Sequence, residues 1–375
     1  VSPMDGVESA GGQLGAVLAA PRDGGAVALA PGGPWLATSL EQARQVLTDP
    51  AAFDFPGNVN RTGDLSGSRG DTRSGHTVFA PVSPEDVARG VEVFDTEWAA
   101  ALRDHVPGGG DEPYDAMVLL RRPVARSTTA AVLAGLDDAR RDVVADRVLA
   151  WIDALGPVIA APRRPRRWSG IRRAEERTRG ALEDTLDEAR AGLPGERRTT
   201  QEVATILAAG IQVPIAAGAF LLAWLAQHPS AGTDPAHVVW ETLRLTPPTW
   251  LTARVTTREV DLGGTRIPEG RVVFVSPLLL GRLDTLVPGG SGTLAHFDPD
   301  RWRDQARRPG AWLPFGAGPH ACPGRNLGLA VLGSLARWGG AHELTLSEDV
   351  RVDQSRGISP APCRFTATAR SETSP

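Results

Sequence analysis

Apolar positions along this chain recur mostly at helical spacing. Val87, Val91, Phe94, Trp98 and Leu102 fall three or four residues apart and predict a helix from Ser83 to about residue 105. Further helices are expected at about 117–135, 137–155 and 170–192, separated by Gly and Pro, with shorter ones at 39–47, 235–245 and 323–338. In the first of the short ones Ser39 can cap the first turn, with Glu41 near the positive end of the dipole. Residues 200–228 form the most apolar helix, from a Thr200 cap with Glu202 in the first turn to His228 and Pro229 at the stop. Apolar on nearly every face and irregular only at Pro214, it is expected to cross the interior.

Short apolar runs at Ala26–Ala30 and Trp35–Thr38, around 251–275 and in the tail read as strands. Residues 51–75 hold eleven Gly, Ser, Asn or Pro and read as a mobile loop, and 281–318 is also loop-rich. The run from Pro162 to Trp168 is rich in arginine and reads as a solvated turn. No repeat or linker breaks the pattern. Residues 1–375 therefore read as a single domain, mainly α with small β-sheets.

Composition narrows the chemistry. All 40 basic residues are arginine. Without lysine there is no Walker A loop, no kinase phosphate lysine and no Schiff base, so pyridoxal-phosphate enzymes and lysine aldolases are excluded. Two cysteines, Cys322 and Cys363, cannot build a four-thiolate metal site or a CxxC pair, and they point to a reducing, cytoplasmic setting. Seven histidines include no HxH or HExxH pair. A net charge of −4 gives no reason to expect nucleic acid. No unbroken run of about 18 apolar residues and no basic-then-apolar leader is found, so neither a membrane span nor a signal peptide is expected.

The sharpest local signal is Phe315-Gly316-Ala317-Gly318-Pro319-His320-Ala321-Cys322-Pro323-Gly324, followed by an apolar helix. Glycines at 316, 318 and 324 let a loop turn tightly and approach something flat. A cysteine at a helix start has its thiolate stabilised by the dipole and is a good metal ligand. The stretch resembles the haem-thiolate loop of the cytochrome P450 superfamily, F-G-x-G-x-H/R-x-C-x-G; Gly328 departs from the extended form, where Ala is usual. The resemblance implies haem b, with Cys322 as axial ligand, His320 on a propionate, and the haem between the long central helix and the helix of the cysteine loop. Phe315, Gly316, Gly318 and Gly324 would line that loop.

More blocks agree in order. Glu241-Thr242-Leu243-Arg244 is an E-x-x-R on a helix, where i and i+3 share a face, and Leu245-Thr246-Pro247-Pro248 follows it. Phe297-Asp298-Pro299-Asp300-Arg301-Trp302 looks like the family's P-E-R-F segment. The resemblance implies that Glu241, Arg244 and Arg301 form a buried charged network bracing the thiolate loop. Arg254 matches the family's propionate-binding arginine. His76 sits where many members carry a further propionate ligand, although position 80 is Ala rather than the accompanying Arg. Together the matches extend from Thr200 to Phe365.

One block departs. Ala209-Gly210-Ile211-Gln212-Val213-Pro214 stands where most members have A/G-G-x-D/E-T-T. The acid and the alcohol that handle water and protons there are both gone. Gln212 can hydrogen-bond but not titrate, Val213 has no polar atom, and Pro214 cannot donate to the Gly210 carbonyl, which is then free to hold a water or a substrate group. Gly210, Gln212 and Val213 remain the candidate reaction face. Substrate contacts are expected from Ala208 and Ala209, from Trp250 and Leu251, and from the tail turn at Ile358 and Ser359.

The resemblance implies a soluble bacterial-type enzyme performing an oxidative step such as hydroxylation on a small lipophilic or biosynthetic intermediate. The stripped helix leaves open a substrate that supplies the proton-relay group, direct use of peroxide, or a coupling, rearrangement or dehydration. No arginine lies between 199 and 243, which counts against peroxide use. A non-catalytic haem-binding auxiliary protein is a third reading, disfavoured by the intact cysteine loop. The chain also reads as short, with peripheral elements trimmed and no anchor or fused redox domain. A monomer served by ferredoxin and ferredoxin reductase is expected, docking through arginines such as Arg325.

Overall fold

Local capping chemistry marks where helices start in the computed structural model, which describes residues 7, 11–22, 24–56, 78–104, 112–161, 163, 165–166, 168–191, 198–229, 232–289, 292–354 and 357–370. Two compact units divide the chain, one from Val1–Phe79 with Gly232–Pro323, the other from Ala80–Ala231 with Gly324–Pro375.

In the first unit, short strands assemble in the order Val27–Ala28, Trp35–Leu36, Val272–Val275, Thr252–Thr256 and Phe53–Asp54. Only the pairing of Trp35–Leu36 with Val272–Val275 is parallel. Val260–Leu262 and Thr265–Ile267 make a separate antiparallel pair. Helix Leu40–Thr48 begins where the Ser39 hydroxyl accepts from the Gln42 N–H at 3.2 Å. Helix Pro235–Leu245 begins at Asp234, whose carboxylate accepts from the Ala236 N–H at 2.8 Å, with Pro235 in the first turn where no donor is needed. Trp302 and Trp312 pack with Val273, Val275 and Leu280 at the core.

The second unit is helical: Pro84–Asp104, Ala116–Leu119, Arg121–Val132, Asp138–Ala160, Gly170–Arg190, Thr200–Gln227 and Arg325–Gly340. A three-stranded antiparallel sheet orders Tyr114–Asp115, Arg364–Ala369 and His342–Leu346. The central helix Thr200–Gln227 is buried without a break from Ile215 to Leu225. Each large apolar side chain there stabilises the fold by about 1.5–3 kcal/mol over an exposed one. Gly218 permits the closest crossing, since a Cβ there would lie 2.9 Å from Leu120 Cδ1 and 3.1 Å from Leu335 Cδ2. The earlier half of this helix is buried only at Val203, Ala204, Leu207 and Ile211.

Several sequence expectations need correction. The cap of the central helix is Thr199, not Thr200: Thr199 and Glu202 form a reciprocal capping box, the spacing of three that the motif requires. The helix expected at 117–135 is interrupted at Leu120, because Pro123 cannot donate to the Leu119 carbonyl. The helix expected to stop at 155 continues through Pro157 to Ala160, since proline's φ is itself helical and only one bond is lost. The stretch read as a loop from 51 opens with strand Phe53–Asp54; residues 57–75 lie outside the described residues. By length and composition alone the central helix would also pass as membrane-crossing, but 61% of its most apolar 18-residue window is buried inside the protein, in keeping with the interior crossing expected of it.

Candidate haem-thiolate site

Glu241 and Arg244 lie one turn apart on helix Pro235–Leu245, and both side chains are fully buried. Glu241 Oε1 accepts from Arg244 Nη2 at 2.6 Å, Arg301 Nε at 2.9 Å and the Asp298 N–H at 3.0 Å. Its Oε2 accepts from Arg244 Nε and from the Trp302 indole N–H, both at 2.9 Å. Arg244 also donates to the carbonyls of Gly281, Leu294 and His296, and Arg301 to those of Pro288, Gly289 and His296. Two guanidiniums meet one carboxylate, and the main-chain dipoles carry the remaining charge. Trp302 is a member that sequence reasoning passed over, although it directly follows Arg301 in the quoted block.

The loop approaching Cys322 turns on three positive φ values, 58° at Leu313, 69° at Gly316 and 73° at Gly318. Gly318 is also held by a close approach, for a Cβ there would sit 2.6 Å from the Leu47 carbonyl oxygen at the end of helix Leu40–Thr48. The Cys322 N–H donates to the Phe315 carbonyl at 2.9 Å and closes the loop, leaving the Cys322 side of it exposed. The Phe315 ring meets Trp240 edge-on at 6.4 Å. Gly324 differs from its two partners: its φ is −88°, and no described atom lies within 4 Å of where a Cβ would stand. Nothing in the described chain demands glycine there.

Arg254 and His320 come together around one ring. Phe53 and Asp54 pair with Thr256 and Val255, so the next residue, Phe55, falls beside Arg254. The Arg254 guanidinium lies 4.0 Å from the Phe55 centroid, and the His320 ring meets the same phenyl edge-on at 4.7 Å. Phe55 was invisible in the sequence because only strand register brings it there. Arg254 is 6% exposed and donates to the Ala253 carbonyl at 2.9 Å. Burial pushes its pKa down from the usual arginine value, and the negative charge of Asp54 opposes that. Among the described residues no carboxylate comes within ion-pair distance of it. His76 lies outside the described residues.

In the second unit, Ala209 and Val213 occupy an exposed face of the central helix, with Ala208, Gly210 and Gln212 partly buried. Val213 is 37% exposed. The Gly210 carbonyl, read from the sequence as free to hold a water or a substrate group, already has a side-chain donor. Thr128 Oγ1, from helix Arg121–Val132, donates to it at 2.9 Å. Thr128 was also missed, although hydroxyls at Ser127, Thr128 and Thr129 in an otherwise apolar stretch were its signal. Two expected substrate contacts, Trp250 in the first unit and Ile358 in the second, are 4% and 1% exposed and offer little surface, being packed as core; Leu251 and Ser359 are half-buried.

Residues 236–333 match the family model for Cytochrome P450. Over 368 residues, 81% of this chain and 78% of that protein, the sequence is 30% identical to cyclooctat-9-en-7-ol 5-monooxygenase of Streptomyces melanosporofaciens. The chain belongs to the cytochrome P450 family. Pentalenene oxygenase of Streptomyces avermitilis is 28% identical over 39% of each protein. The P450 fold is shared with the crystal structure of CYP175A1 from Thermus thermophilus, with a TM-score of 0.72 over 94% of both chains at 21% identity. As a P450, the chain is an oxidoreductase whose cofactor is haem b. The residues present fit that group. A buried guanidinium with no carboxylate within ion-pair distance among the described residues suits an anionic propionate, and an exposed thiol at the end of a closed loop suits iron.

Proposed function

We propose that this P450 oxidises a cyclic terpenoid intermediate, with hydroxylation the leading reaction, and that Cys322 is the axial ligand of its haem. The substrate class rests on the relatives' names, an unsaturated carbocyclic alcohol and a cyclic hydrocarbon oxygenated by related chains. The observation that carries the ligand assignment is the Cys322 N–H bonded to the Phe315 carbonyl, which fixes the loop while its sulfur stays accessible. Bound through a thiolate, the haem supplies oxygen activation. Arg254 and His320, which both contact Phe55, would hold propionate oxygens, and the Glu241, Arg244 and Arg301 network would brace the loop from within its unit. Ala209 and Val213 would present an apolar face suited to a hydrocarbon skeleton.

A second reading has a specific observation in its favour. Between Glu202 and His228 the central helix carries no titratable side chain. A substrate hydroxyl would then have to move the proton that an acid moves in most members, or the reaction would be a coupling, rearrangement or dehydration. Gln212, partly buried, would orient such a hydroxyl without titrating.

Electrons would come from a ferredoxin and its reductase in the cytoplasm, docking by way of the exposed Arg325. Reduced protein under carbon monoxide should absorb at about 450 nm, and Cys322→Ser should abolish that band; a band that survives the substitution rejects the ligand assignment. Incubation with cyclic terpene alcohols and hydrocarbons, using reductant and a surrogate ferredoxin in one arm and peroxide in another, separates the reaction classes by product. Arg325→Glu should slow reduction of the haem and leave the substrate-induced spectral change intact.

A further inference from the structure

We propose that Thr128 is a positioning residue for the reaction: from a neighbouring helix it supplies the hydrogen bond that Pro214 removes from the central helix, and so fixes the peptide of Gly210 below the face offered to substrate. The reaction itself rests on the P450 reading above, whereas the bond and its structural consequence do not.

In an uninterrupted helix the N–H of residue 214 would donate to the carbonyl of residue 210, and proline has no N–H to give. A partly buried carbonyl left without a donor tends to recruit water. Thr128, itself 4% exposed, places its hydroxyl 2.9 Å from that oxygen. The approach is matched on the other side by the absence of a side chain, because a Cβ at Gly210 would stand 2.9 Å from Thr128 Cγ2. Pro214 frees the acceptor, Gly210 makes the room and Thr128 brings the proton.

The neighbouring hydroxyls show that this is a division of labour within one short stretch. Ser127 Oγ donates to the Gly90 carbonyl of helix Pro84–Asp104 at 2.7 Å, where a Cβ on Gly90 would likewise collide, at 2.7 Å from Leu327 Cδ1 and 3.2 Å from the Ser127 carbonyl. Thr129 Oγ1 turns back to Ala125 of its own helix at 2.8 Å. Thr128 does not take the equivalent internal bond and spends its proton on the central helix. With one lone pair of the Gly210 carbonyl taken by Thr128, a water at the Ala209 and Val213 face would have to compete for that acceptor, which favours an apolar face where most members of the family hold water on an alcohol.

The test is a double-mutant cycle read by thermal midpoint, by the spin state of the ferric haem without substrate, and by the share of reducing equivalents lost as hydrogen peroxide. Thr128→Val keeps the shape and removes the proton. It should lower the midpoint by about 2–4 °C, shift the substrate-free spin state toward that of a wetter site, and raise the peroxide share about twofold. Thr128→Ser should restore all three. Pro214→Ala gives Gly210 an N–H partner within its own helix, so adding Thr128→Val to it should leave all three within error of the Pro214→Ala protein. Equal effects of Thr128→Val in both backgrounds would overturn the proposal, as would a loss of stability with unchanged spin state and peroxide share. A protein that never shows the thiolate carbonyl band would refute the P450 reading, and the midpoint cycle would still decide whether Thr128 serves the carbonyl freed by Pro214.

Discussion

Glu241 in the first unit and Gly210 in the second pose related problems, a fully buried carboxylate and a partly buried carbonyl that both need donors, and they solve them oppositely. Glu241 gathers five donors onto two oxygens from residues as far along the chain as Trp302, and its charge makes each bond strong. The Gly210 carbonyl has a single neutral donor, Thr128, from another helix. The contrast teaches where this chain is conservative. The Glu241 frame is over-determined, so that no single bond decides its geometry, while at Gly210 one hydroxyl on a neighbouring helix serves the carbonyl to which Pro214 cannot donate.

The largest effect should come from breaking the charged side of that comparison at its centre. Glu241→Ala leaves Arg244 and Arg301, both fully buried, facing each other without an anion. Removing one partner of a buried pair costs about 3–5 kcal/mol, a large part of the total stability of an ordinary domain. Chemical denaturation of purified protein should show that loss, with haem incorporation failing in parallel. A shift under 1 kcal/mol by the same measurement, far below the ~3 kcal/mol expected for a broken buried pair, would mean that the main-chain carbonyls alone can hold the guanidiniums.

Those two residues were legible before any coordinates because their chemistry is local. Glu241 and Arg244 are one helical turn apart, and the cysteine loop is a continuous string of residues whose glycines announce positive φ at 316 and 318. The small strands and nearly all helices followed from periodicity and caps for the same reason. What escaped was set by contacts far apart in sequence. Phe55 reaches Arg254 through strand register, and Thr128 reaches Gly210 across 82 positions. A proline in the central helix announced a freed carbonyl, but nothing local could say what would fill it. Trp250 and Ile358, expected as substrate contacts, are buried, and their case is related: an apolar residue at the right place in a motif looks the same whether it faces a ligand or the core.

A middle-sized effect should appear at Arg254, whose buried charge has no carboxylate within ion-pair distance among the described residues, Asp54 acting on it only from further off. Arg254→Leu removes that guanidinium, whose described contacts are the Phe55 ring and the Ala253 carbonyl. The cofactor-free protein should therefore keep its denaturation midpoint, whereas haem transfer to a scavenging apo-globin should speed up about tenfold through loss of a charge-assisted contact. The opposite pattern, a destabilised apo-protein with unchanged haem retention, would make Arg254 part of the structural frame like Arg244 and remove it from the propionate site.

The smallest effect asks how far the redundancy around Glu241 extends. Trp302→Phe deletes one of the donors to Oε2 and keeps the ring that packs 5.1 Å from Trp312. Oε2 still accepts from Arg244 Nε, so no oxygen is orphaned and the loss should stay near the lower end for a bond to a charged group, about 1.5 kcal/mol. Thr128→Val, by comparison, removes a weaker neutral bond but takes away the side-chain donor of its acceptor. If the frame is redundant and the Thr128 bond is not, Trp302→Phe should lower stability without moving the ferric spin state, and Thr128→Val should move the spin state. Measuring both spectra in parallel breaks the comparison directly: a spin-state change in Trp302→Phe would mean that the charged frame tunes the haem site bond by bond, with no redundancy to protect it.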